Sequence, residues 1–394
     1  MALGIYISVP FCKTKCSYCN FASDVFSRAV FERYVDRVCI DVASAPHIAE
    51  AMGGQVDRDV DSIYLGGGTP TVLEAGQLRR IFDAVRSQFQ VRSDAEATVE
   101  CAPGTLTPEL LEALLLCGVN RVSLGVQSFV DAEAAAVGRL HKRSTVLDDI
   151  AHLRAAGIAN INIDLIAGLP HQTAESWQQS LDETLATGAP HVSVYMLEVD
   201  EDSRLGREVM AGGSRYHAHF VPDDEATADF YLAACEQLDA AGVAQYEISN
   251  FARAGAESRH NLKYWTRQPY LGFGVDAHSM LATSAPEVEA VRFSAADVLE
   301  KYVAGSPMHR TAVSRADALE ESFFLGLRLN RGVYLAGIAA TFGQQAVDEI
   351  SSIIAELVAD GLLHSDADFI RLTPPGRLLS NEIFQRFLAP ARHA

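Results

Sequence analysis

Basic residues are scarce in this chain of 394 residues, with 32 Lys and Arg against 51 Asp and Glu and a formal net charge of −19. A groove that follows a polyphosphate backbone needs clustered cations, so nucleic acid is not expected as a partner. Long hydrophobic runs are also missing. The opening Met1–Val9 has no basic stretch before its apolar residues, and its run is far shorter than the roughly 18 residues that a membrane span requires. A cytoplasmic protein is the expectation. Cysteine is sparse, seven in all, and the odd number without an export signal makes a disulfide framework improbable. No low-complexity tract is present. With 48% hydrophobic residues the composition is that of a globular protein of two or three domains.

What is present first is a repeat of β-branched runs and amphipathic helical stretches. Strands are predicted near 5–9, 62–65, 97–101, 121–126, 160–166 and 191–197, each followed by helix-like sequence. Thr107-Pro108 reads as an N-cap with proline at the first helical position, and Gly118, Gly157 and Gly188 each close a helical run just before a strand. Such a unit repeated six times predicts a parallel sheet with helices outside. Several of the strands read as nearly continuous in apolar residues, as buried parallel strands do. Glu100, Gln127 and Asp164 interrupt them at their carboxyl ends, the edge at which barrels bind ligands. Beyond residue 255 the pattern loosens. Helices are then predicted at 317–327, 335–341 and 347–360, a strand at 369–372, and a closing helix from Gly376, together a small winged-helix-like domain. The expected division is a barrel over 1–250, a connecting segment over 251–294 and a C-terminal domain over 295–394.

Three of the seven cysteines, Cys12, Cys16 and Cys19, stand in a C-x₃-C-x₂-C spacing directly after the first strand. A loop of this kind can wrap three thiolates around one face of a cubane and leave the fourth iron without a protein ligand. Structural zinc normally takes four protein ligands, and no fourth Cys or His lies in the loop. Lys13 and Lys15 favour the thiolate form. Cys39, Cys101, Cys117 and Cys235 are assigned to the core. One unit later comes Tyr64-Leu65-Gly66-Gly67-Gly68-Thr69-Pro70, where consecutive glycines let a ligand approach the backbone and offer amides to the polar end of an amino acid.

These elements resemble the radical S-adenosylmethionine (SAM) superfamily and, within it, the coproporphyrinogen III oxidase-like group, most of all the HemW-type haem chaperones. The resemblance runs through 6–21, 66–70, 121–129, 138–141, 160–170, 245–252 and 260–265. It implies an α/β fold, an incomplete (β/α)₆ TIM-like radical SAM barrel with the C-terminal helical domain. It also implies a [4Fe-4S] cluster on Cys12, Cys16 and Cys19, and SAM at Tyr6, Gly67, Gly68, Thr69, Glu100, Gln127, Arg139 and Asp164.

Two departures bear on which branch applies. Coproporphyrinogen dehydrogenases of this group carry a further cysteine two residues after the third, where this chain has Phe21, and most relatives have histidine where this chain has Ser8. The chaperone branch carries an H-N-x-x-Y-W element, here His260 to Trp265. A neutral imidazole is a standard axial ligand and aromatic rings pack on porphyrin, so the resemblance implies haem at His260, Tyr264 and Trp265. The implied function is haem delivery to respiratory haem proteins, with peripheral membrane contact and a homodimer. No catalytic residue is assigned. The alternative is oxygen-independent coproporphyrinogen III oxidation or another radical SAM activity on a tetrapyrrole.

Overall fold

The computed structural model describes residues 2–366 and 368–388. Six strands, β1 (Leu3–Val9), β2 (Asp59–Gly67), β3 (Gln90–Cys101), β4 (Arg121–Gln127), β5 (Asn160–Ala167) and β6 (His191–Met196), lie side by side in chain order, every neighbouring pair parallel. These are the six predicted βα strands. Helix punctuation also follows the sequence: Thr107 Oγ1 accepts from the Leu110 amide at the start of helix Pro108–Leu116, and Gly188 ends helix Ala174–Thr187 in a left-handed turn.

Beyond β6 the sheet turns antiparallel through β7 (Ala244–Glu247) and β8 (Asn250–Ala252). At its other edge β9 (Tyr270–Gly274) runs parallel to β1. It is followed outward by the antiparallel β10 (His278–Ala282), β11 (Val288–Ser294) and β12 (His309–Ser314). The twelve strands curl without closing, with β12 and β7 as the free edges. The loosened pattern after residue 255 is therefore regular structure. The segment expected as a connection, 251–294, holds a helix and three strands of the main sheet, and the expected boundary at 295 falls between β11 and β12, which pair with each other. Its hydrophobic signal is weak because short antiparallel strands at a sheet's margin bury fewer side chains than central ones. The last segment is a three-stranded sheet, β13 (Val333–Tyr334), β14 (Leu363–Ser365) and β15 (Phe369–Leu372), backed by helices Leu335–Phe342 and Gln344–Ala359 around a second core.

The barrel strands are not continuously apolar, contrary to the sequence reading. They alternate. Ile5, Ile7, Ile63, Leu65, Val122, Leu124, Ile161, Ile163, Val192 and Val194 are buried with Val35, Leu78, Ile81, Phe82 and Leu153 of the surrounding helices, each such side chain contributing about 1.5–3 kcal/mol. The other face carries Tyr6, Ser8, Ser62, Tyr64, Glu96, Thr98, Glu100, Arg121, Ser123, Asn162, Asp164 and Ser193. The helices dry one side of the sheet, and the lumen is polar.

Helix Arg259–Trp265 stops the amino end of this lumen. Glu96 of β3 supplies the acceptor its first amides lack, taking hydrogen bonds from the backbone of Arg259 (3.0 Å) and His260 (3.1 Å). Lys263 ties the other end to Asp61 (2.7 Å) and the Ala2 carbonyl (2.8 Å). Replacing Glu96 by Ala leaves two buried donors unmatched, and we expect the unfolding midpoint in urea to fall by the equivalent of about 2 kcal/mol at unchanged slope. A loss below about 0.5 kcal/mol would show that the plug is held by other contacts.

Candidate functional site

The cysteine loop is fastened to the glycine loop by backbone bonds. The Gly68 amide donates to the Val9 carbonyl and the Thr69 amide to the Phe11 carbonyl, both at 2.7 Å, while Thr69 Oγ1 reaches Cys12 Sγ at 3.8 Å. A Cβ at position 68 would lie 2.7 Å from the Phe11 oxygen and 3.1 Å from Cys12 Sγ, so only glycine permits this approach. Gly67 (φ 101°) turns its amide onto Glu100 Oε2 at 3.1 Å. The amides of Gly67, Gly68 and Thr69, expected to face a ligand, are thus used within the protein. What the turn retains for a ligand is carbonyl oxygen, an acceptor suited to an ammonium group.

Cys12, Cys16 and Cys19 are all free thiols, Cys16 buried and the other two partly so. Burial pushes the Cys12 thiol up, and repulsion from Cys19 and Cys16 adds to that. Three mutually repelling thiols suit a cationic iron core. Among the described residues no three His, Cys, Asp or Glu side chains converge as on a single ion. One zinc would draw thiolates to about 3.8 Å from one another, given Zn–S bonds of about 2.3 Å. A cubane gives each of three thiolates its own iron and leaves the fourth open, a chemistry that a set of three cysteines fits. Arg139 closes over the loop with Nη1 at 3.6 Å from Cys16 Sγ and Nη2 on the Gly125 carbonyl, while its buried Nε has no partner. Thr69 and Arg139 also line, with Lys13, a cleft of about 280 Å³ beside the cysteines.

Glu100 and Asp164 lie at the same mouth. Tyr64 donates to Glu100 Oε1 at 2.8 Å, and Asp164 accepts from Ser123 (3.0 Å) and Asn162 (2.7 Å). Burial raises both carboxyls, and the negative Asp164 adds to the shift that brings Glu100 to about 7. The network continues through Asn162 to His191 (2.6 Å), and from there to Tyr246 (2.9 Å). Gln127 ends β4 with φ 69°, a left-handed backbone that non-glycine residues rarely adopt, where the β4–β5 register shifts. Tyr6 stands next to Tyr64, with ring centroids 6.1 Å apart. Ser8 is buried, its carbonyl taking the Tyr34 hydroxyl at 2.6 Å. The fold therefore brings Gly67, Gly68, Thr69, Glu100, Gln127, Arg139 and Asp164 to the carboxyl end of the sheet beside the cysteine loop, while Tyr6 lies deeper in the lumen, its ring next to both Tyr64 and His260 (6.3 Å).

The haem residues read from the sequence lie at the other end. His260 is fully buried, its Nδ1 paired with Ser62 Oγ (3.0 Å) and its Nε2 with the Tyr264 hydroxyl (2.9 Å). Burial lowers its pKa to about 3, with the nearby charges of Lys263 and Arg121 acting in the same direction. With both nitrogens committed, none is left for iron. Tyr264 packs edge-on against Tyr270 (4.6 Å), and Trp265 lies under the Arg328 guanidinium at 4.3 Å, which in turn pairs with the buried Glu247. The element is a structural plug in this conformation, a role its spacing does not reveal because a ligand histidine and a core histidine look alike in sequence.

One residue escaped the sequence reading. Arg121 of β4 is 1% exposed, has no ion pair, and its buried Nε lacks a partner. Its charge stabilises the ionised forms of Glu100, Asp164 and Tyr64 across the lumen and disfavours protonation of His191 and His260. An arginine entering a strand passes as an ordinary surface residue until the curl of the sheet buries it. Since Arg121 lowers the Glu100 pKa, Arg121→Met is expected to move that titration upward from about 7, by less than loss of the Tyr64 or Gly67 hydrogen bond would. Infrared pH-difference spectra, with Glu100→Gln to assign the band, measure it. An unmoved titration would remove Arg121 from this role.

Residues 6–184 match the radical SAM superfamily and residues 313–379 the HemN C-terminal domain. Heme chaperone HemW of Bacillus subtilis (strain 168) is 35% identical over 97% of this chain and 98% of its own length, and heme chaperone HemW of Escherichia coli (strain K12) is 30% identical over 98% of each. Among solved structures, coproporphyrinogen III oxidase (HemN) from Escherichia coli, described as a radical SAM enzyme, superposes with a TM-score of 0.82 at 25% identity, covering 98% of this chain and 90% of that one. Agreement in sequence from end to end, in both domains and in the fold means that this chain belongs to the HemW family of the radical SAM superfamily.

Proposed function

We propose that this protein is a haem chaperone that carries a [4Fe-4S] cluster on Cys12, Cys16 and Cys19, holds SAM at the barrel mouth, and delivers haem to respiratory haem proteins from the cytoplasm. The observation that carries the reading is full-length similarity to proteins named heme chaperones, joined to Phe21 at the position where the dehydrogenase branch has a cysteine. Phe21 is 64% exposed and offers the loop only its carbonyl, which takes Lys15 Nζ at 3.0 Å.

When bound, the cluster supplies one-electron reduction of the SAM sulfonium. The remaining work falls to this chain. The Gly68 carbonyl would accept from the SAM ammonium, the charge of Arg139 would balance its carboxylate, and Glu100 and Asp164 would accept from ribose hydroxyls or cationic groups. Arg139 and the half-buried Tyr18 would shield the thiolates from water, and Arg121 favours charge on the carboxylates.

Among the described residues no helix is long and apolar enough to cross a membrane. Exposed apolar side chains at Phe21, Val25, Leu140 and Val199 support a peripheral contact with membrane-bound clients. A homodimer is part of the proposal.

The likeness to coproporphyrinogen III oxidase favours a second reading, oxidative decarboxylation of a porphyrinogen's propionates. Anaerobically reconstituted protein, given coproporphyrinogen III, SAM and a reductant, is expected to form no protoporphyrinogen IX; turnover would replace the chaperone reading. Changing Cys12, Cys16 and Cys19 together to Ala is expected to abolish iron and acid-labile sulfide in oxygen-free material. Retention of both would falsify the cluster assignment.

A further inference from the structure

With His260 committed to the plug, a haem-binding protein needs another iron ligand. The excursion from the end of β6 to helix Asp224–Ala240 crosses the rim of the barrel mouth and touches the cysteine loop, the Leu205 amide donating to the Ser17 carbonyl at 2.8 Å. Farther along it sits His217, whose Nδ1 lies 3.1 Å from Nε2 of His171, in the loop leaving the carboxyl end of β5. Phe220 stacks on His171 with centroids 4.1 Å apart, and the His171 amide donates to the Phe220 carbonyl at 2.8 Å. Both histidines have left-handed backbones, φ 69° and 61°, a pairing kept by mutual contact and not by local preference.

We propose that His217 is the axial ligand for haem on this rim, with His171 orienting it. This assignment rests on the chaperone reading above. In the tautomer with the shared proton on His217 Nδ1, His171 Nε2 accepts it and His217 Nε2 presents its lone pair outward. That is the arrangement of iron-ligating histidines, whose second nitrogen donates to a fixed partner. Among the described residues nothing in the protein bonds to that Nε2, whereas His141 is bonded through its Nε2, and His191 and His260 through both ring nitrogens.

A place for the macrocycle adjoins the pair. Gln172, the residue after His171, and Pro222, two residues after Phe220, open a groove of about 530 Å³ between helices Ala174–Thr187 and Asp224–Ala240. Trp177, Phe230, Ala226 and Ala233 line it together with the polar Thr173, Gln178 and Asp229, and its volume is within the roughly 300–1,000 Å³ usual for cofactor pockets. Phe220, 55% exposed, extends that apolar surface toward the pair. A rim site held by one ligand also suits a protein that must release its cargo.

The test is titration of the full-length protein with haem, read by the Soret band and by resonance Raman of the iron–histidine stretch. His217→Ala is expected to weaken haem binding at least tenfold and to abolish the stretch, with added imidazole restoring a ligated spectrum. His171→Ala is expected to keep haem but shift the stretch, since the donor partner is gone. Thermal melts of both variants should match the parent, because both side chains lie at the surface. Unchanged affinity and spectrum in His217→Ala, with the parent protein binding haem, overturn this site and leave the chaperone reading intact. A parent protein that binds no haem defeats both. Binding of zinc ion to the histidine pair with an unaltered haem complex in His217→Ala would show a metal site instead and also overturn the assignment.

Discussion

The site depends on two backbone hydrogen bonds. By donating from Gly68 to Val9 and from Thr69 to Phe11, the turn after β2 is clamped on the cysteine loop after β1. No side chain fits between them at position 68, so the clamp tolerates only glycine there. Everything functional inherits its position from this contact. It brings Thr69 to Cys12, turns the Gly67 amide onto Glu100, and forms one wall of the cleft that Arg139 closes. The cost is that three amides which could have bound an anion are spent, and the turn is left as an acceptor surface.

The second constraint is a lumen that is polar by alternation. Most barrels of this kind fill their interior with branched apolar side chains in layers. Here the helices provide the apolar contacts on the outer face, and the inner face is free to carry charge. A buried carboxylate is costly without compensation. Hydrogen bonds supply most of that compensation, from Tyr64 and the Gly67 amide to Glu100 and from Ser193, Ser123 and Asn162 to Asp164, and the charge of Arg121 adds a smaller share to both. The plug helix completes the arrangement by closing the amino end with His260, whose neutrality is enforced by burial and by the cations near it.

The two ends of the lumen divide the labour. At the carboxyl end, the loops after β1, β2 and β4 meet around the cysteines. At the amino end His260, Ser62, Tyr264 and Glu96 satisfy one another. A motif that sequence similarity links to haem thus has both nitrogens of its histidine bonded within the protein, while the His171–His217 pair stands on the rim that also carries the cysteines. The chemistry of a motif is decided by which of its atoms remain without partners, and spacing does not encode that.

How much was legible from the chain follows from the range of the interactions involved. The six βα strands, the Thr107 cap and the C-x₃-C-x₂-C loop are local, and the C-terminal helices at 315–326, 335–342 and 344–359 lie within a few residues of where periodicity placed them. Convergence of Glu100, Gln127 and Asp164 followed from a topological rule about strand ends. The strands of 270–314, the polar face of the barrel, the fate of the glycine amides and the burial of His260 and Arg121 were not legible, because they depend chiefly on partners far away in the chain, as β9 does on β1 and His260 on Ser62. The amino-acid order alone determined the six βα units and the C-x₃-C-x₂-C loop, since those depend on neighbours in the chain; the tertiary structure alone decided which polar atoms are spent inside the protein and which remain to bind a ligand, since that depends on what folding brings against them.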